Sequence, residues 1–489
     1  MTLGSRLRRF GRDDEGAILV FWAVALAVML GIVALSFDVG RMAATQSELQ
    51  SYADHVALAA AAELDGKSDA ITRANAAAAN LIADWQTYGA GGNALAGVGS
   101  YTLEFFDRLP AQDSAAMSAG LTTNAAKAAY ARVTIAPRAV DFSFGDAFFA
   151  LSGNAPTANT VGATAVAGYT QYACDIAPMM FCIPNSSFNA DAPGTKGRMI
   201  RLRAGGQGAA WGPGDFGFLQ PSSLSIDAQG NCAGANGTGP QLRCALGAVS
   251  RITQCVPIRG VDIEPGQKVG ITNAALNTRF DMWSGAMQNS RTDPIYAPAP
   301  NVIKGIRPRN GNCNWNNTQP TTDTAAMPRD TCMISGSCAP YGDGNWSAGR
   351  TTYVSRNYGG ADPHPAAPTR YDYYLAEIAA HGGGASSAAI LTGRSETGRP
   401  MCTANQSPDP ERRILIVAGI DCAANSIRGS ASGVPVHQFV KMFITEPVVD
   451  NGSGPNSLDI YAEIVGSADT NGGAGTTAGI VRDVVQLYR

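Results

Sequence analysis

A long apolar run near the N-terminus is the strongest pattern in the chain. Residues 16–37 read GAILVFWAVALAVMLGIVALSF and carry no charge. As an α-helix rising about 1.5 Å per residue, this run is roughly 33 Å long and can cross a hydrocarbon core of about 30 Å. A cleaved signal peptide, with Ala34 and Ser36 before the cut, is the alternative. Such peptides have an apolar region of only about 7–15 residues, so the pattern favours a single transmembrane helix.

Charged residues flank the apolar run unevenly. Four arginines lie between residues 6 and 12, and Asp38 is the first residue after the run. Because basic residues stay on the cytoplasmic side of a membrane helix, residues 1–15 are expected in the cytoplasm. The bulk of the chain is then expected on the opposite, external side of the membrane.

Helical periodicity continues beyond the membrane helix. From Leu49 to Ala60, apolar or small residues recur at the i, i+3, i+4, i+7 spacing of one helical face. Asp65 and Gly66 end this pattern, and Ser68 is a candidate N-cap of a second alanine-rich helix that reaches Trp85. Residues 38–88 are therefore predicted to form a helical stalk or hairpin. Its alanine-rich face favours packing within the chain over the alternative, a homo-oligomer formed through the stalk.

A region of short β-type runs follows, and residues 89–173 are predicted to form a small α+β unit. The runs at 101–106, 129–135 and 161–169 are rich in β-branched and aromatic residues between glycines. Residues 142–151 contain four phenylalanines, which favour a short helix or turn that plugs the sheet.

Residues 174–489 are predicted to be a loop-rich region that ends in an antiparallel sheet. Glycine, asparagine and proline dominate much of it. The clearest elements are a strand at 199–203, a helix at 371–381, and three alternating strands at 413–421, 436–445 and 458–465. The expected fold class is α+β, with an N-terminal membrane helix and an alanine-rich stalk.

Composition and charge exclude several classes of protein. The chain has 489 residues, 15% of them charged, and a formal net charge of −3. The low charge content favours an exported protein over a cytosolic one. No long basic run is present, so a nucleic-acid partner is not expected.

Ten cysteines lie beyond residue 173, and their even number favours disulfides formed in an oxidising compartment. Connectivity cannot be deduced from spacing alone. The shortest loops suggest three pairs, namely Cys174 with Cys182, Cys232 with Cys244, and Cys332 with Cys338. A zinc site is the alternative, but no CxxC pair is present.

Motifs of known enzymes are absent from the sequence. It contains no GxSxG, no HExxH, no Walker-type loop and no complete calcium loop. Glycines at 205–208 invite comparison with a phosphate loop, but aromatic residues follow, which favours aromatics packed on a tight turn. Glu377 and His381 are four residues apart on the helix at 371–381, and helix capping by His381 is favoured over metal binding. No catalytic, cofactor-binding or metal-binding residue is assigned.

Three segments together resemble a known family. RDDEGAILVFWA at 12–23, DVGR at 38–41 and YADHVALAAA at 52–61 resemble the N-terminal segment of Flp pilus-assembly TadE/TadG-like proteins. That segment has arginines and a glycine before one membrane helix, an Asp-x-Gly-Arg exit and an Ala-Asp-Ala-Ala-type helix. The residues that match this pattern are Gly16, Asp38, Gly40, Arg41 and Asp54. His55 and Val56 stand where the family usually has alanines.

The resemblance implies a single-pass inner-membrane component of tight-adherence (Flp) pilus assembly, with no cofactor and with protein partners in the pilus or secretion machinery. Two features depart from relatives in this system. Phe21 stands where processed pseudopilins have a glutamate, and the Asp-x-Ser-x-Ser of a von Willebrand factor A domain is missing. An envelope hydrolase using His364, Glu377 or His381, and a pilin-like subunit released by proteolysis, are the alternatives.

Overall fold

The computed structural model divides the chain into two compact units. The N-terminal unit comprises residues 1–170 and 483–489, and the distal unit comprises residues 171–482. The residues described in the structure are 17–80, 84–85, 87, 94–95, 100–110, 112, 115–145, 159–174, 176–220, 225–226, 232, 234–249, 254–257, 260–309, 313, 318–384, 388–450, 458–468 and 481–488.

The N-terminal unit begins with a helical hairpin. Helix α1 (Ala17–Ala62) continues without a break from the apolar run into the stalk, and helix α2 (Ala70–Ala79) returns beside it. Arg73 on α2 forms ion pairs with Glu63, Asp65 and Asp69, so one guanidinium closes the turn between the helices.

Helix α2 is shorter than the sequence suggested. Its N-cap residue is Asp69 instead of the expected Ser68, and its C-cap residue is Asn80. Strand β1 (Asp84–Trp85) pairs with β2 (Ala94–Leu95), so the predicted extension of the helix to Trp85 is wrong. The extended conformation that strand pairing requires is incompatible with helical dihedrals at that residue.

A small antiparallel sheet packs against the hairpin. Strand β3 (Tyr101–Phe106) pairs with β4 (Tyr130–Ile135), and β4 pairs with β7 (Thr164–Cys174), of which residues 164–170 belong to this unit. Strands β5 (Arg138–Ala139) and β6 (Thr160–Val161) form a separate pair. The C-terminal strand Val481–Leu487 also pairs with β7, a contribution that the sequence did not indicate.

The alanine-rich face of α1 forms the core of this unit. Leu49, Tyr52 and Val56 are buried against the sheet and α2, together with the alanines on the same face. Small side chains permit this close approach of helix and sheet. The predicted packing of the alanine face within the chain is therefore present.

The distal unit is richer in regular structure than the expected loop-rich region. Its helices are α3 (Thr238–Gly247), α4 (Val269–Asn277), α5 (Thr331–Ile334), α6 (Ser347–Tyr358) and α7 (Arg370–Ala380). Its strands are β8 (Met179–Cys182), β9 (Met199–Ala204), β10 (Asp215–Leu219), β11 (Ser225–Ile226), β12 (Gln254–Pro257), β13 (Val261–Pro265), β14 (Ile306–Pro308), β15 (Thr318–Pro320), β16 (Ile414–Ile420), β17 (Ala431–Val434), β18 (Gln438–Ile444), β19 (Val449–Asp450) and β20 (Leu458–Ser467).

Six of the described strands pair in a closed ring and form a small barrel. The order around the ring is β8, β10, β9, β20, β18, β16 and back to β8. The β9/β10 and β16/β8 pairs are parallel and the others are antiparallel. Alternate side chains of these strands, among them Phe181, Phe216 and Met442, are buried together in one cluster. These side chains fill the interior of the barrel with a hydrophobic core.

The antiparallel arrangement of the three C-terminal strands is confirmed. Strands β16, β18 and β20 lie side by side, with boundaries close to the predicted runs. Closure of the barrel depends on β8, β9 and β10 as well, and of these only the strand at 199–203 was predicted explicitly. The α+β fold class is also confirmed.

Local interactions explain two further elements. The side chain of Thr369 accepts a hydrogen bond from the Asp372 N–H and caps the start of α7, while Gly382 and Gly383 follow its end with positive φ. Trp211 packs on Gly217 and on Gly205, where an added Cβ would lie 2.5 Å from the indole. Gly205, directly after β9, therefore serves aromatic packing, as expected from the sequence, whereas a Cβ at Gly208 would meet no atom within 4 Å.

Candidate functional site at the end of the apolar helix

The first half of α1 is exposed on all sides. Its most apolar 18-residue window has a mean hydropathy of 2.9, and none of that window is buried against the rest of the chain. Among the described residues this is the one helix whose length and composition suit a membrane span. Burial against the N-terminal unit begins at Asp38, which is only 3% exposed.

The carboxylate of Asp38 binds the backbone of a distant loop. It accepts hydrogen bonds from the N–H groups of Ser143 (3.0 Å), Phe144 (3.2 Å) and Gly145 (2.6 Å). Consecutive N–H groups that converge in this way form a binding site for an anion, and Asp38 supplies the negative charge.

Arg41 holds the same loop from one helical turn further along. Its Nη1 donates to Ser143 Oγ at 2.5 Å and to the Asp141 carbonyl at 3.2 Å. The guanidinium lies 4.9 Å from the centre of the Phe37 ring, which in turn makes an edge contact with Phe144 at 5.6 Å. We call Asp38, Arg41 and residues 141–145 the exit clamp.

The exit clamp places aromatic rings next to the apolar half of α1. Phe37 is 49% exposed and Phe144 is 48% exposed. Phe37 continues the exposed apolar surface of the helix, and Phe144 extends that surface onto the loop. The charged atoms of Asp38 and Arg41 are engaged with the loop at the end of this surface.

The remaining residues that carry the resemblance have different surroundings. Gly40 is exposed, and a Cβ there would meet no atom within 4 Å, so packing within the described chain does not demand glycine. Asp54 is half-buried and accepts a 2.8 Å hydrogen bond from Gln50, which also donates to the Thr164 carbonyl. Gly16 lies outside the described residues.

Sequence reasoning found Asp38 and Arg41 but missed their partner. Residues 142–151 were expected to plug the small sheet. In the part described, 142–145, Phe142 packs against the core of that sheet, and the segment also lies at the end of the apolar helix. About a hundred residues separate the two halves of the clamp. The four phenylalanines were the only signal in the sequence that this segment has an unusual environment.

Disulfides close several parts of the distal unit. The bonded pairs are Cys182–Cys422, Cys232–Cys244, Cys313–Cys402 and Cys332–Cys338. Two of the three short-loop pairs expected from the sequence are therefore present. Cys174 is disulfide-bonded as well, and the structure describes no free cysteine.

The expected pairing of Cys174 with Cys182 is wrong, because strand register sets the partners. Cys182 is the last residue of β8, which runs parallel to β16. In this register Cys182 lies opposite Ile420, two residues before Cys422. Cys174 ends β7 and stands opposite Cys255 of β12. The position of each cysteine in the sheet, and not its distance along the sequence, therefore decides its disulfide partner.

The residues considered for hydrolytic chemistry do not form an open site. Glu377 is fully buried, and its carboxylate accepts hydrogen bonds from Tyr353 (2.7 Å), Tyr358 (2.7 Å) and Asn301 (2.6 Å). Burial raises the pKa of Glu377 to about 7, although these hydrogen bonds oppose the shift. The ring of His381 bonds the carbonyl of Glu377 and ends the helix, as capping predicted.

His364 was also considered for hydrolytic chemistry, and metal binding was considered as a further possibility. The His364 ring makes an edge contact with Tyr373 at 5.2 Å, and burial lowers the pKa of the imidazole. Within the described part of the chain, no three histidine, cysteine or acidic side chains are placed to hold a metal ion.

The helical half of the exit clamp, Asp38 and Arg41, lies in a segment that matches a known protein family. Residues 16–63 match the putative Flp pilus-assembly TadE/G-like family. This TadE/G-like segment contains the apolar helix, Asp38, Gly40, Arg41 and Asp54. The match confirms the resemblance seen in the sequence and suggests a membrane-anchored protein involved in Flp pilus assembly. Searches of curated proteins and of solved structures give no match.

Proposed function

We propose that the protein is a non-catalytic, single-pass component of Flp pilus assembly in the bacterial inner membrane. Residues 1–15 lie in the cytoplasm, the apolar half of α1 spans the bilayer, and the distal unit faces the periplasm. There the distal unit contacts pilus or envelope proteins.

The exit clamp is the observation that carries this proposal. Asp38, a buried charged side chain of the TadE/G-like segment, and the half-buried Arg41 both hold the loop at 141–145. They do so where the exposed apolar surface of α1 ends. A membrane anchor needs a defined depth, and charged groups with aromatic neighbours at the bilayer surface supply it.

Two further observations support the location and the non-catalytic role. The disulfides of the distal unit favour an oxidising compartment such as the periplasm. The carboxylate with a pKa near neutrality, Glu377, is enclosed by hydrogen-bond donors and has no approach for a substrate.

A complementation experiment in the native host tests the role in assembly. Deletion of the gene is expected to abolish or strongly reduce surface Flp pili, and the wild-type gene is expected to restore them. Arg41→Gln is expected to restore them poorly, because it loses both contacts to the loop. Lys127→Gln serves as the control, since Lys127 is an exposed cation outside the clamp. Normal piliation in the deletion strain would refute the proposal.

Reporter fusions test the topology separately. A fusion after Arg12 is expected to report the cytoplasm, and a fusion after Gly66 is expected to report the periplasm. The reverse pattern would overturn the orientation even if the role in pilus assembly held.

A further inference from the structure

One exposed phenylalanine outside the apolar helix is in contact with that helix. Among the described residues of the N-terminal unit beyond α1, the exposed large hydrophobic side chains are Leu121, Phe144 and Leu487. Single exposed hydrophobic residues are common on protein surfaces and need no partner. Phe144 is joined to a larger apolar surface, because its ring packs edge-to-face on Phe37, the last residue of the apolar run, with 5.6 Å between the ring centres.

The depth of Phe144 follows from this contact. The uncharged run at 16–37 is about as long as a hydrocarbon core is thick, roughly 30 Å. When the run spans the core, its last residue, Phe37, lies at the boundary with the lipid headgroups. A ring packed on Phe37 lies at that boundary too, where aromatic side chains are favoured.

The backbone of the loop suits a place with little water. A polar backbone group that leaves water without a hydrogen-bond partner costs free energy. The N–H groups of Ser143, Phe144 and Gly145 all donate to the buried carboxylate of Asp38, and Ser143 Oγ accepts from Arg41. These three consecutive donors are thus satisfied within the chain, and the Phe144 ring can enter the headgroup region without leaving them unpaired.

We propose that the loop at 141–145 is a second membrane contact, in which the Phe144 ring lies among the lipid headgroups and upper acyl chains beside α1. The lipid surface is then the partner of the exit clamp. No particular headgroup is needed, because an apolar ring makes the contact. Helix and ring together fix the rotation of the N-terminal unit about the axis of α1 as well as its depth. This inference rests on the proposed membrane anchor and adds a second contact to it.

Depth-dependent fluorescence quenching tests the contact in the full chain. An environment-sensitive fluorescent amino acid replaces Phe144, Leu26 or Leu121, one in each chain, and the chains are reconstituted into vesicles of phosphatidylethanolamine and phosphatidylglycerol. The quencher is a phosphatidylcholine with a nitroxide either near its headgroup or near the end of an acyl chain. Leu26, in the exposed apolar half of α1, reports the anchor itself.

The three positions are expected to give different results. At position 144 the shallow nitroxide is expected to quench about threefold or more strongly than the deep one, since the ring lies at the boundary of the core. At position 26 the deep nitroxide is expected to be the stronger quencher. At position 121 neither nitroxide is expected to quench.

Leu121 is the matched control because it is exposed in the same unit but lies far from the exit clamp. Gln50, about three helical turns beyond Asp38, donates to the Thr164 carbonyl at the start of β7. Leu121 forms a bridge with Phe106, which stands at the level of later residues of β7. It is therefore at the end of the sheet that lies further from Asp38.

Hydroxyl-radical footprinting of the unlabelled chain excludes insertion that is driven by the fluorescent side chain. Phe144 and Leu121 have similar exposed fractions, 48% and 62%. In the same vesicles, and relative to the intrinsic reactivity of each residue type, Phe144 is expected to be oxidised about fivefold or more slowly than Leu121, because lipid excludes water from the ring.

The outcomes separate this inference from the anchor on which it rests. Quenching at position 26 without quenching at position 144 would overturn the inference and leave the anchor in place. Protection of Phe144 from radicals without lipid quenching at position 144 would also overturn it, because a protein surface would then cover the ring. Absence of quenching at position 26 would overturn the anchor and this inference with it.

Discussion

The carboxylate of Asp38 and the backbone N–H of Gly145 are joined by a hydrogen bond of 2.6 Å across 107 residues of sequence. A Cβ at position 145 would lie 3.3 Å from that carboxylate and 3.0 Å from the Phe142 ring, so glycine permits the close approach. This contact connects the family-specific part of the apolar helix to a part of the chain that the family match does not reach.

Asp38→Asn is expected to loosen the exit clamp. Asparagine loses the charge, and its amide group places donors near backbone donors, so the loop loses about 1–3 kcal/mol of local stability. Hydrogen exchange at the amides of 143–145 is therefore expected to be roughly 10- to 100-fold faster. Asp141→Asn, at an exposed aspartate of the same loop, is the control. Unchanged exchange in Asp38→Asn would show that the clamp does not hold the loop.

Arg370→Met is expected to destabilise the distal unit strongly. Arg370 is fully buried and binds the carboxylates of Asp330 and Glu463, which are buried as well. Removing the cation leaves two buried carboxylates without their partner, which costs about 3–5 kcal/mol. Urea unfolding of the distal unit measures the loss. Arg356→Met, at an exposed position, is expected to change the urea midpoint little, and equal effects of the two substitutions would contradict this account.

Glu377 is expected to make stability depend on pH. Its folded-state pKa of about 7 lies above the ordinary value of 4.5, so the folded protein binds this proton more tightly than the unfolded chain does. The stabilisation is complete below about pH 4.5 and is lost as the pH rises to about 7, by about 3 kcal/mol in total. The urea midpoint of unfolding is therefore expected to fall as the pH is raised from 4.5 to 7.

Glu377→Gln is expected to remove most of that fall, because glutamine does not titrate. Glu411→Gln, at a half-exposed glutamate, is expected to keep it. A wild-type midpoint that stays flat from pH 4.5 to 7 would show that Glu377 is ionised throughout.

The disulfides are expected to differ in their contribution to stability. Cys182–Cys422 closes a separation of 240 residues, and Cys332–Cys338 closes one of only 6. Loop-closure entropy predicts a contribution of about 5 kcal/mol for the long loop and about 2 kcal/mol for the short one. Replacing both cysteines of each pair by alanine, and comparing the unfolding free energies, tests this order. A larger loss from the short loop would mean that packing around the bond outweighs chain entropy.

Local patterns in the sequence predicted the elements whose periodicity is regular. The apolar run and its amphipathic continuation appear as one helix, and the alternating strands near the C-terminus appear as β16, β18 and β20. The alanine face from Leu49 to Ala60 was predicted to be buried, because a face of small residues must pack on something. These elements could be predicted because each pattern repeats within a few residues along the chain.

Other features depend on residues that are far apart in sequence. Strands β8 and β10 lie among glycines, prolines and aromatics, and only their places in the closed barrel explain their burial. Glu377 was considered as a metal ligand from its spacing to His381 and as a residue of an envelope hydrolase. In the structure Tyr353, Tyr358 and Asn301 enclose its carboxylate.

The sequence by itself determined the apolar helix, the direction of its charge asymmetry, the presence of disulfides and the family of the N-terminal segment. All of these follow from composition, period and short motifs. Only the tertiary structure decided that Cys182 bonds Cys422 and that Asp38 and Arg41 hold residues 141–145. Each of these is a choice among many partners of similar chemistry, and the choice is made by strand register and packing over a hundred residues or more.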